Sequence, residues 1–378
     1  MKKIFKIYLP IIVLLSLIFL IFQPNPYLRR AIIYNTPNIT DHELFAERIV
    51  ESDIHQAWKI SSDFNTYNLT SSDSLLFDEY KTVAFVVVKD TSIIFENYWE
   101  GYSENSISSS FSMAKSVVSL LVGIAIDDGL ISSVDDPISK YIPKFENEKY
   151  SITIRDLLTM SNGLDWNETY SNPFSVTTKA YYGNNLNRLV LKSKSINPPN
   201  EKFEYNTASP QLLSIILKTV TNQTLSEYTS EKLWKPLGAK HDAAWSLDQK
   251  DGAEKAATFF NSNARDYARL GQLLINKGKW NGEQLISENY IKEALTPATY
   301  LVDKKNDPVD FYGYQWWICN YNDTMIYYAR GILGQYIISI PEKNIVIVRL
   351  GHMRDPEKIN HHPSDLYKYI DLALEISK

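Results

Sequence analysis

The chain of 378 residues is long enough to bury a large core, in one domain or in two interleaved ones. Its formal net charge of -5 comes without a long run of either sign, which argues against a nucleic-acid partner. The single cysteine, Cys319, excludes a disulfide within the chain, and its apolar neighbours indicate a core residue.

The first residues form a basic and then continuously apolar segment. Lys2 and Lys3 precede the apolar run 7–22, IYLPIIVLLSLIFLIF, and no small-residue cleavage site follows it. This layout is typical of a secretory signal or a signal anchor. We therefore predict an uncleaved anchor and juxtamembrane segment over residues 1–30. It implies a single-pass protein of the cell membrane whose body lies outside the cytoplasm, periplasmic or extracellular. A secreted protein is the alternative if the N-terminus is cleaved.

Strand signals lie near both ends of the remaining chain. Residues 31–75 have a mixed pattern and are predicted to wrap the body. The runs 82–90 and 92–100 are rich in β-branched residues and predict a hairpin. Three further strands and a final amphipathic helix are predicted over 325–331, 335–340, 345–351 and 364–377.

Helical patterns dominate between these strand regions. They extend from residue 112 to about residue 295, interrupted by polar and proline-rich loops. Strands before and after a helical block form one sheet when the two ends of the chain meet. The sequence therefore predicts an α+β fold, with an antiparallel sheet of about five strands, flanking helices and a mostly helical insertion. The main domain is predicted over residues 76–378.

The first helix of this block begins with an unusual pair of residues. The stretch 108–129, SSSFSMAKSVVSLLVGIAIDDG, is apolar after its first turn, yet Lys115 follows Ser112 by three positions. Residues three apart share a helix face, so Lys115 is expected to lie over Ser112. A desolvated lysine loses its proton readily and can be the base that a serine hydroxyl requires. The alternative is a serine N-cap with a lysine that extends to solvent.

The start of this helix also offers a position for an anion. The backbone N–H of Ser112 lies at the positive end of the helix dipole and can point at a developing oxyanion. The six histidines show no metal-binding spacing. A Gly-x-Ser-x-Gly nucleophile elbow is absent from the sequence. The first observation argues against a metal site and the second against an α/β-hydrolase triad. We expect no cofactor.

The sequence resembles the class C β-lactamase-related serine hydrolases of the β-lactamase and penicillin-binding-protein superfamily. The stretch Ser112-Met113-Ala114-Lys115 matches the Ser-x-x-Lys motif of that family. The resemblance covers roughly residues 75–375 and continues through 134–145, 152–166, 203–217, 231–240, 264–282 and 329–351. It implies a β-lactamase/transpeptidase-like fold. Relatives include esterases, D-amino-acid peptidases and the aminohexanoate-dimer hydrolase.

The resemblance implies a role for each matching residue. Ser112 corresponds to the nucleophile and Lys115 to the lysine that shares in its deprotonation. Tyr205 corresponds to the motif tyrosine that passes the proton to the leaving group. Thr207 keeps a substrate-binding hydroxyl in the same motif. Tyr170 lies in the stretch 167–170, where nylon-oligomer-hydrolase relatives carry a flap tyrosine, which implies a hydrogen bond to a leaving amine. A loop tyrosine that covers apolar surface is an equal alternative for Tyr170.

The third motif departs from the β-lactamase pattern. Ala329-Arg330-Gly331 stands where those enzymes carry Lys-Thr-Gly. The resemblance implies that Gly331 lets the substrate approach closely and that the N–H of Ile332 is a second oxyanion donor beside that of Ser112. Loss of the lysine and the threonine predicts poor β-lactam hydrolysis. The direction of the Arg330 side chain stays open, because side chains alternate along a strand.

These observations predict a serine hydrolase that cleaves ester or amide bonds through an acyl-enzyme on Ser112. Lys115 and Tyr205 are the expected general base and acid. The expected partners are a small ester, amide or peptide substrate and, through the anchor, a membrane. Two alternatives remain open. One is an envelope-anchored penicillin-binding-type D-peptidase or β-lactamase, and the other is a non-catalytic peptidoglycan-binding protein.

Overall fold

The computed structural model describes residues 8–10, 26–170 and 172–378. Its strands are β1 (Glu47–Val50), β2 (Lys59–Ile60), β3 (Thr82–Lys89), β4 (Ser92–Tyr98), β5 (Ser108–Ser109), β6 (Ala243–Ser246), β7 (Phe260–Ser262), β8 (Lys279–Trp280), β9 (Glu283–Gln284), β10 (Trp317–Tyr321), β11 (Thr324–Gly331), β12 (Gln335–Ile340), β13 (Ile345–Gly351), β14 (Lys358–Ile359) and β15 (His362–Pro363). Its α-helices are α1 (Tyr27–Tyr34), α2 (Ser71–Glu79), α3 (Met113–Asp127), α4 (Ile154–Leu158), α5 (Val176–Tyr182), α6 (Leu186–Val190), α7 (Ala208–Thr221), α8 (Leu225–Thr229), α9 (Ala264–Ile275), α10 (Glu288–Ala294) and α11 (Ser364–Ile376).

The larger sheet joins strands from both ends of the chain. It has seven strands in the order β10-β11-β12-β13-β3-β4-β2. Neighbouring strands are antiparallel, except that the short edge strand β2 runs parallel to β4. The β3–β4 hairpin turns at Asp90 and Thr91, whose φ angles of 48° and 63° suit a tight hairpin turn. The predicted α+β fold with a mainly antiparallel sheet is confirmed.

A second, smaller sheet was not predicted. It has the order β1-β6-β7-β5 and is antiparallel throughout. Its strands are two to four residues long, too short to leave a clear alternation of apolar and polar residues. Because β6 and β7 lie within residues 112–295, that block is mixed rather than purely helical. Strand β5 ends three residues before Ser112 and so ties the start of α3 to this sheet.

Helix α3 lies in the core of the molecule. Every residue from Met113 to Ala125 is buried, as expected for a helix that is apolar on all sides. The helix packs against α7 and against β11. Its buried hydroxyls are satisfied by backbone carbonyls, because Ser116 donates to Gln315 O and Ser119 donates to Tyr314 O, each at 2.7 Å. These hydrogen bonds therefore fix the position of α3 on the C-terminal side of its first turn.

The prediction of a single-pass membrane protein is corrected by the structure. Within residues 8–10, 26–170 and 172–378, no helix has the length and apolar character that crossing a bilayer requires. Helix α1 has only eight residues, whereas a span needs about 20. It packs against α5, and Arg30 Nη1 donates to Tyr182 O at 3.0 Å. Most of the predicted anchor, residues 1–30, lies outside the described residues.

Candidate active site

Ser112 follows a strained turn between β5 and α3. Phe111 has a positive φ of 46°, a conformation that costs a bulky residue on the order of 1–3 kcal/mol. Ser110 holds this turn, since its Oγ donates to Phe111 O and accepts from Phe260 N, both at 3.0 Å. Ser112 is partly exposed, and its side chain makes no capping hydrogen bond to α3. The serine hydroxyl is therefore not used to cap the helix.

Lys115 lies one turn into α3, and only 2% of its surface is exposed. Its Nζ donates to Ser112 Oγ at 3.1 Å and to Ala257 O at 2.6 Å. The same nitrogen lies 5.1 Å from the centroid of the Tyr205 ring. Among the described residues no carboxylate pairs with Lys115, so its amine is presented to the serine hydroxyl.

Tyr205 is positioned by aromatic packing beside the lysine. Its ring centroid lies 5.8 Å from that of Trp317 and 6.2 Å from that of Tyr312. Tyr205 and Ser112 line one cleft. The structure thus brings together the three residues that the sequence singled out for the reaction, while their catalytic roles stay predictions.

Gly331 ends β11 where this strand passes the turn before Ser112. A Cβ on Gly331 would lie 2.4 Å from Ser110 O, closer than any side chain tolerates, so the close approach requires glycine. The next residue, Ile332, lines the space around Ser112 on both sides. The N–H groups proposed for the oxyanion therefore belong to two segments that meet at the nucleophile.

Ser112 lies between a large cleft of about 810 Å³ and a small pocket of about 40 Å³. The cleft has the size of small-molecule sites, which are about 300–1,000 Å³. Its aromatic lining consists of Trp166, Tyr170, Phe203, Tyr205, Phe311 and Trp317. The small pocket is lined in part by Lys115, Thr207 and Tyr170. Thr207, Gly331 and Tyr170, predicted as substrate-binding residues, thus all lie around the nucleophile.

A carboxylate that sequence reasoning missed, Glu168, organises one side of the site. Its Oε1 accepts hydrogen bonds from Tyr170 OH and Thr207 Oγ1, both at 2.7 Å. Its Oε2 accepts from Trp166 Nε1 at 2.8 Å and from Thr207 N at 2.9 Å. Because Thr207 is the N-cap of α7, Glu168 also lies at the positive end of a helix. No motif in the sequence identifies it, although it stands just two residues after Trp166.

Tyr170 lies over the site but its hydroxyl is already hydrogen-bonded. The residue is 60% exposed, and its hydroxyl donates a hydrogen bond to Glu168 Oε1 at 2.7 Å. Burial of the hydroxyl, with the carboxylate of Glu168, raises the pKa of Tyr170 well above its ordinary value. The hydroxyl therefore stays protonated at neutral pH and can act as a donor.

Arg330 points into the cleft, which answers the question that the sequence left open. Its Cζ lies 3.4 Å from the centroid of the Trp317 ring, and its Nη1 donates to His361 O at 3.2 Å. The preceding residue, Ala329, is fully buried. A guanidinium, and not a lysine ammonium, therefore faces the cleft from the third motif.

Comparison with known proteins agrees with this arrangement. The family model of the Beta-lactamase family matches residues 76–365. The 6-aminohexanoate-dimer hydrolase of Paenarthrobacter ureafaciens is 27% identical over 301 residues, which are 75% of this chain and 76% of that protein. Among solved structures, a candidate 6-aminohexanoate-dimer hydrolase from Bacillus anthracis has a TM-score of 0.75 at 23% identity, over 90% of this chain and 92% of that chain. A penicillin-binding protein from Bacillus halodurans has a TM-score of 0.60 at 17% identity, over 80% of this chain and 99% of that chain.

The structural neighbours share the β-lactamase/transpeptidase-like fold that the sequence predicts. The family match spans most of the chain and includes the segments that carry Ser112, Lys115, Tyr205 and Gly331. The chain thus belongs to the Beta-lactamase family, and it is a serine hydrolase.

Proposed function

We propose that the protein hydrolyses small ester or amide substrates through an acyl-enzyme on Ser112. One observation carries this proposal: Lys115 Nζ lies 3.1 Å from Ser112 Oγ where that serine lines an open cleft. A serine hydroxyl is a weak nucleophile until a base within hydrogen-bond reach removes its proton. Lys115 meets this geometric requirement without any movement of the chain.

The proposed reaction uses the residues around Ser112 in two half-reactions. Lys115, acting as a free amine, takes the hydroxyl proton while Ser112 Oγ attacks the substrate carbonyl carbon. The N–H groups of Ser112 and Ile332 stabilise the oxyanion that forms. The ester C–O or amide C–N bond then breaks, and Tyr205 passes a proton to the departing oxygen or nitrogen. In the second half-reaction the Tyr205 phenolate takes a proton from the water that attacks the acyl carbon, and Lys115 returns its proton to Ser112 Oγ as the acid is released.

The third motif favours esters or amides over β-lactams as substrates. Ala329 is buried and Arg330 stacks on Trp317, so neither supplies the ammonium and the hydroxyl of Lys-Thr-Gly. Each missing charge-assisted hydrogen bond is worth about 1.5–3 kcal/mol. We expect kcat/KM for nitrocefin to be well below that for p-nitrophenyl acetate on the same preparation. A nitrocefin value equal to the ester value or above it would identify a β-lactamase instead.

Replacement of the nucleophile tests the proposal. Ser112→Ala should lower kcat/KM for p-nitrophenyl acetate by about 10⁴-fold or more, with an unchanged circular dichroism spectrum. Ser151→Ala, at an exposed serine outside the cleft, is the matched control and should behave as wild type. A burst of p-nitrophenol in the first turnover would report the acyl-enzyme. Near wild-type turnover by Ser112→Ala would refute the assignment.

A further inference from the structure

Ser112 lies where two spaces of very different size meet. The large cleft has a volume of about 810 Å³, and the small pocket has a volume of about 40 Å³. Ser112, Tyr170 and Ile332 line both spaces, so both open at the nucleophile. A volume of about 40 Å³ has room for roughly one or two groups of the size of a water molecule or a methyl group. Of the two sides of an ester or amide bond, the small pocket therefore admits only a short one.

One wall of the small pocket is held by packed aromatic rings. Tyr181 lines the pocket, and its ring centroid lies 5.1 Å from that of Phe259 and 6.3 Å from that of Phe45. The Tyr181 hydroxyl also donates to Oδ2 of the buried Asp41 at 2.7 Å. Phe111 lines the pocket as well, and its ring centroid lies 6.0 Å from that of Phe259. Because closely packed side chains resist displacement, the pocket cannot lengthen without a rearrangement of this cluster.

The lining of the small pocket favours a short apolar group. Two of its hydroxyls are already engaged, because Thr177 Oγ1 accepts from Thr169 N at 3.0 Å and Thr207 Oγ1 donates to Glu168 Oε1 at 2.7 Å. Among the described residues that line the pocket, Lys115 is the only lysine, arginine, aspartate or glutamate. Its apolar lining residues are Pro37, Phe111, Ala180, Tyr181 and Ile332. The pocket therefore suits a methyl or ethyl group better than a charged one.

The position of Tyr205 decides which part of the substrate faces the small pocket. Tyr205 lines the large cleft and is not among the described residues that line the small pocket. Since Tyr205 is the proposed proton donor to the departing oxygen or nitrogen, the leaving group lies on the side of the cleft. The N–H groups of Ser112 and Ile332 take the oxyanion. The remaining substituent of the carbonyl carbon is the acyl chain, and the small pocket is the second space that opens at Ser112.

We propose that the small pocket binds the acyl group of the substrate and limits it to acetyl or propionyl, whereas the large cleft accepts leaving groups of widely different size. This inference rests on the proposed function, because it takes Ser112 as the nucleophile and Tyr205 as the acid. It adds a rule of selectivity, since chain length is restricted on the acyl side of the scissile bond and not on the leaving-group side. Thr258 and Ala180, which line the pocket, are positions at which this limit can be changed.

A series of p-nitrophenyl esters tests the limit on the acyl side. The acetate, propionate, butyrate and hexanoate share one leaving group and differ only in acyl length. A methylene group that a pocket cannot accommodate costs about tenfold or more in kcat/KM. We therefore expect kcat/KM to fall at least about tenfold from the propionate to the butyrate and not to recover at the hexanoate. A kcat/KM that stays level or rises with acyl length would overturn the proposal.

A second series varies the leaving group instead. Phenyl acetate, 4-tert-butylphenyl acetate and 4-phenylphenyl acetate share one acyl group and have leaving groups of similar basicity. Their kcat/KM values should agree within about threefold, because a cleft of this size accommodates all three rings. A fall with leaving-group size as steep as the fall along the acyl series would place the leaving group in the small pocket and contradict the proposed orientation.

Substitutions at Thr258 and Ala180 change the space itself. Thr258→Ala enlarges the pocket and should raise the ratio of the butyrate to the acetate kcat/KM by about tenfold. Thr258→Val is the matched control, because it keeps the volume and removes only the hydroxyl, so the ratio should stay at its wild-type value. Ala180→Val fills the pocket and should lower the ratio of the propionate to the acetate kcat/KM by about tenfold. An equal rise in both Thr258 variants, or no change in either Thr258→Ala or Ala180→Val, would show that pocket volume does not set the acyl length.

Binding to Ser112→Ala separates this inference from the proposed function. N-(4-nitrophenyl)acetamide and N-(4-nitrophenyl)hexanamide are stable analogues that differ only in acyl length. We expect calorimetric titration to show about tenfold tighter binding of the acetamide, and a crystal structure of its complex to place the methyl group in the small pocket. Equal affinities, or a methyl group in the large cleft, would overturn the acyl pocket while leaving the chemistry on Ser112 standing. Turnover of p-nitrophenyl acetate by Ser112→Ala at the wild-type rate would instead overturn the proposed function, and with it the assignment of the pocket to an acyl group.

Discussion

Lys115 and Lys255 are both almost completely buried, with 2% and 1% of their surfaces exposed. Lys115 contacts one backbone carbonyl and the hydroxyl of Ser112, at the edge of the cleft. Lys255 donates to Ala180 O at 3.1 Å and to Tyr181 O at 2.8 Å. Its Nζ also lies 4.6 Å from the centroid of the Phe45 ring. Each lysine thus has a buried amine, but the two amines contact different groups.

The comparison shows that burial of a lysine does not by itself indicate catalysis. Desolvation lowers the pKa of Lys255 to about 7, a value that suits a general base. Yet among the residues that the structure describes, the Lys255 amine contacts two carbonyls at the end of α5 and the Phe45 ring, and Lys255 lines neither the cleft nor the small pocket. Geometry therefore has to be considered before pKa. A serine hydroxyl within reach, open to a cleft, is what distinguishes Lys115.

The largest expected contrast is between substitutions of these two lysines. Lys115→Arg should lower kcat/KM for p-nitrophenyl acetate by about 10²–10⁴-fold, nearly as much as Lys115→Ala, because arginine does not release its proton. Lys255→Met should change kcat/KM less than about threefold in the folded fraction. Steady-state kinetics, with the folded fraction measured by circular dichroism, provides the comparison. A Lys115→Arg enzyme with a wild-type pH–rate profile would remove the distinction between the two regions.

A second prediction concerns the hydroxyl of Tyr205, whose ring lies beside Lys115. Tyr205→Phe keeps the ring that packs on Trp317 but removes the hydroxyl, so the site should stay intact. We expect kcat/KM to fall about 10²-fold for an alkyl ester, whose leaving group must be protonated. The loss should be smaller for a p-nitrophenyl ester, whose leaving group departs as an anion. Equal losses for the two esters would exclude Tyr205 as the acid.

A third prediction concerns the carboxylate that holds the other side of the cleft. Glu168→Gln removes the negative charge that accepts hydrogen bonds from Trp166, Tyr170 and Thr207. We expect a rise in KM and a loss of about tenfold in kcat/KM, because charge-assisted bonds at this position become weaker. Glu204→Gln is the matched control, because this cleft carboxylate has no side-chain partner within the described part of the chain. An equal effect of both substitutions would mean that only the charge of the cleft matters.

A fourth prediction concerns stability rather than activity, at Lys255. Its folded pKa of about 7 lies below the ordinary 10.5, so the unfolded state binds more protons between these values. The free energy of unfolding of wild type, relative to Lys255→Met, should therefore rise with pH above about 7, by up to about 1.4 kcal/mol per pH unit. The penalty for burying the charged amine is fully present below pH 7. Urea denaturation of both proteins from pH 6 to pH 9 measures this pH dependence. If the free energies of unfolding of the two proteins change in parallel with pH, the lowered pKa of Lys255 is contradicted.

The features that the sequence predicted correctly are those that local sequence patterns determine. Ser112 and Lys115 belong to one helix turn, so their proximity follows from helix geometry alone. The hairpin over 82–98 and the strands over 324–351 are long enough for β-branched residues to reveal them. The smaller sheet was missed because its strands have at most four residues.

Contacts between distant segments explain what the sequence could not predict. Glu168 and Thr207 are 39 positions apart, and nothing in either local stretch indicates their hydrogen bonds. The direction of Arg330 depends on stacking against Trp317, a neighbour across the sheet and not along the strand. Arg354 and Lys358 reach the cleft from the chain after β13, where no motif points to a site. The predicted membrane location failed because it rested on the N-terminal pattern alone.

Covalent labelling tests the central claim, that Ser112 is the nucleophile, most directly. A fluorophosphonate probe reacts with activated serine hydroxyls, and mass spectrometry of the digested protein locates the adduct. We predict one equivalent of probe on Ser112 in wild type, no adduct in Ser112→Ala and strongly slowed labelling in Lys115→Arg. Labelling at another residue, or undiminished labelling of Ser112→Ala, would contradict the account.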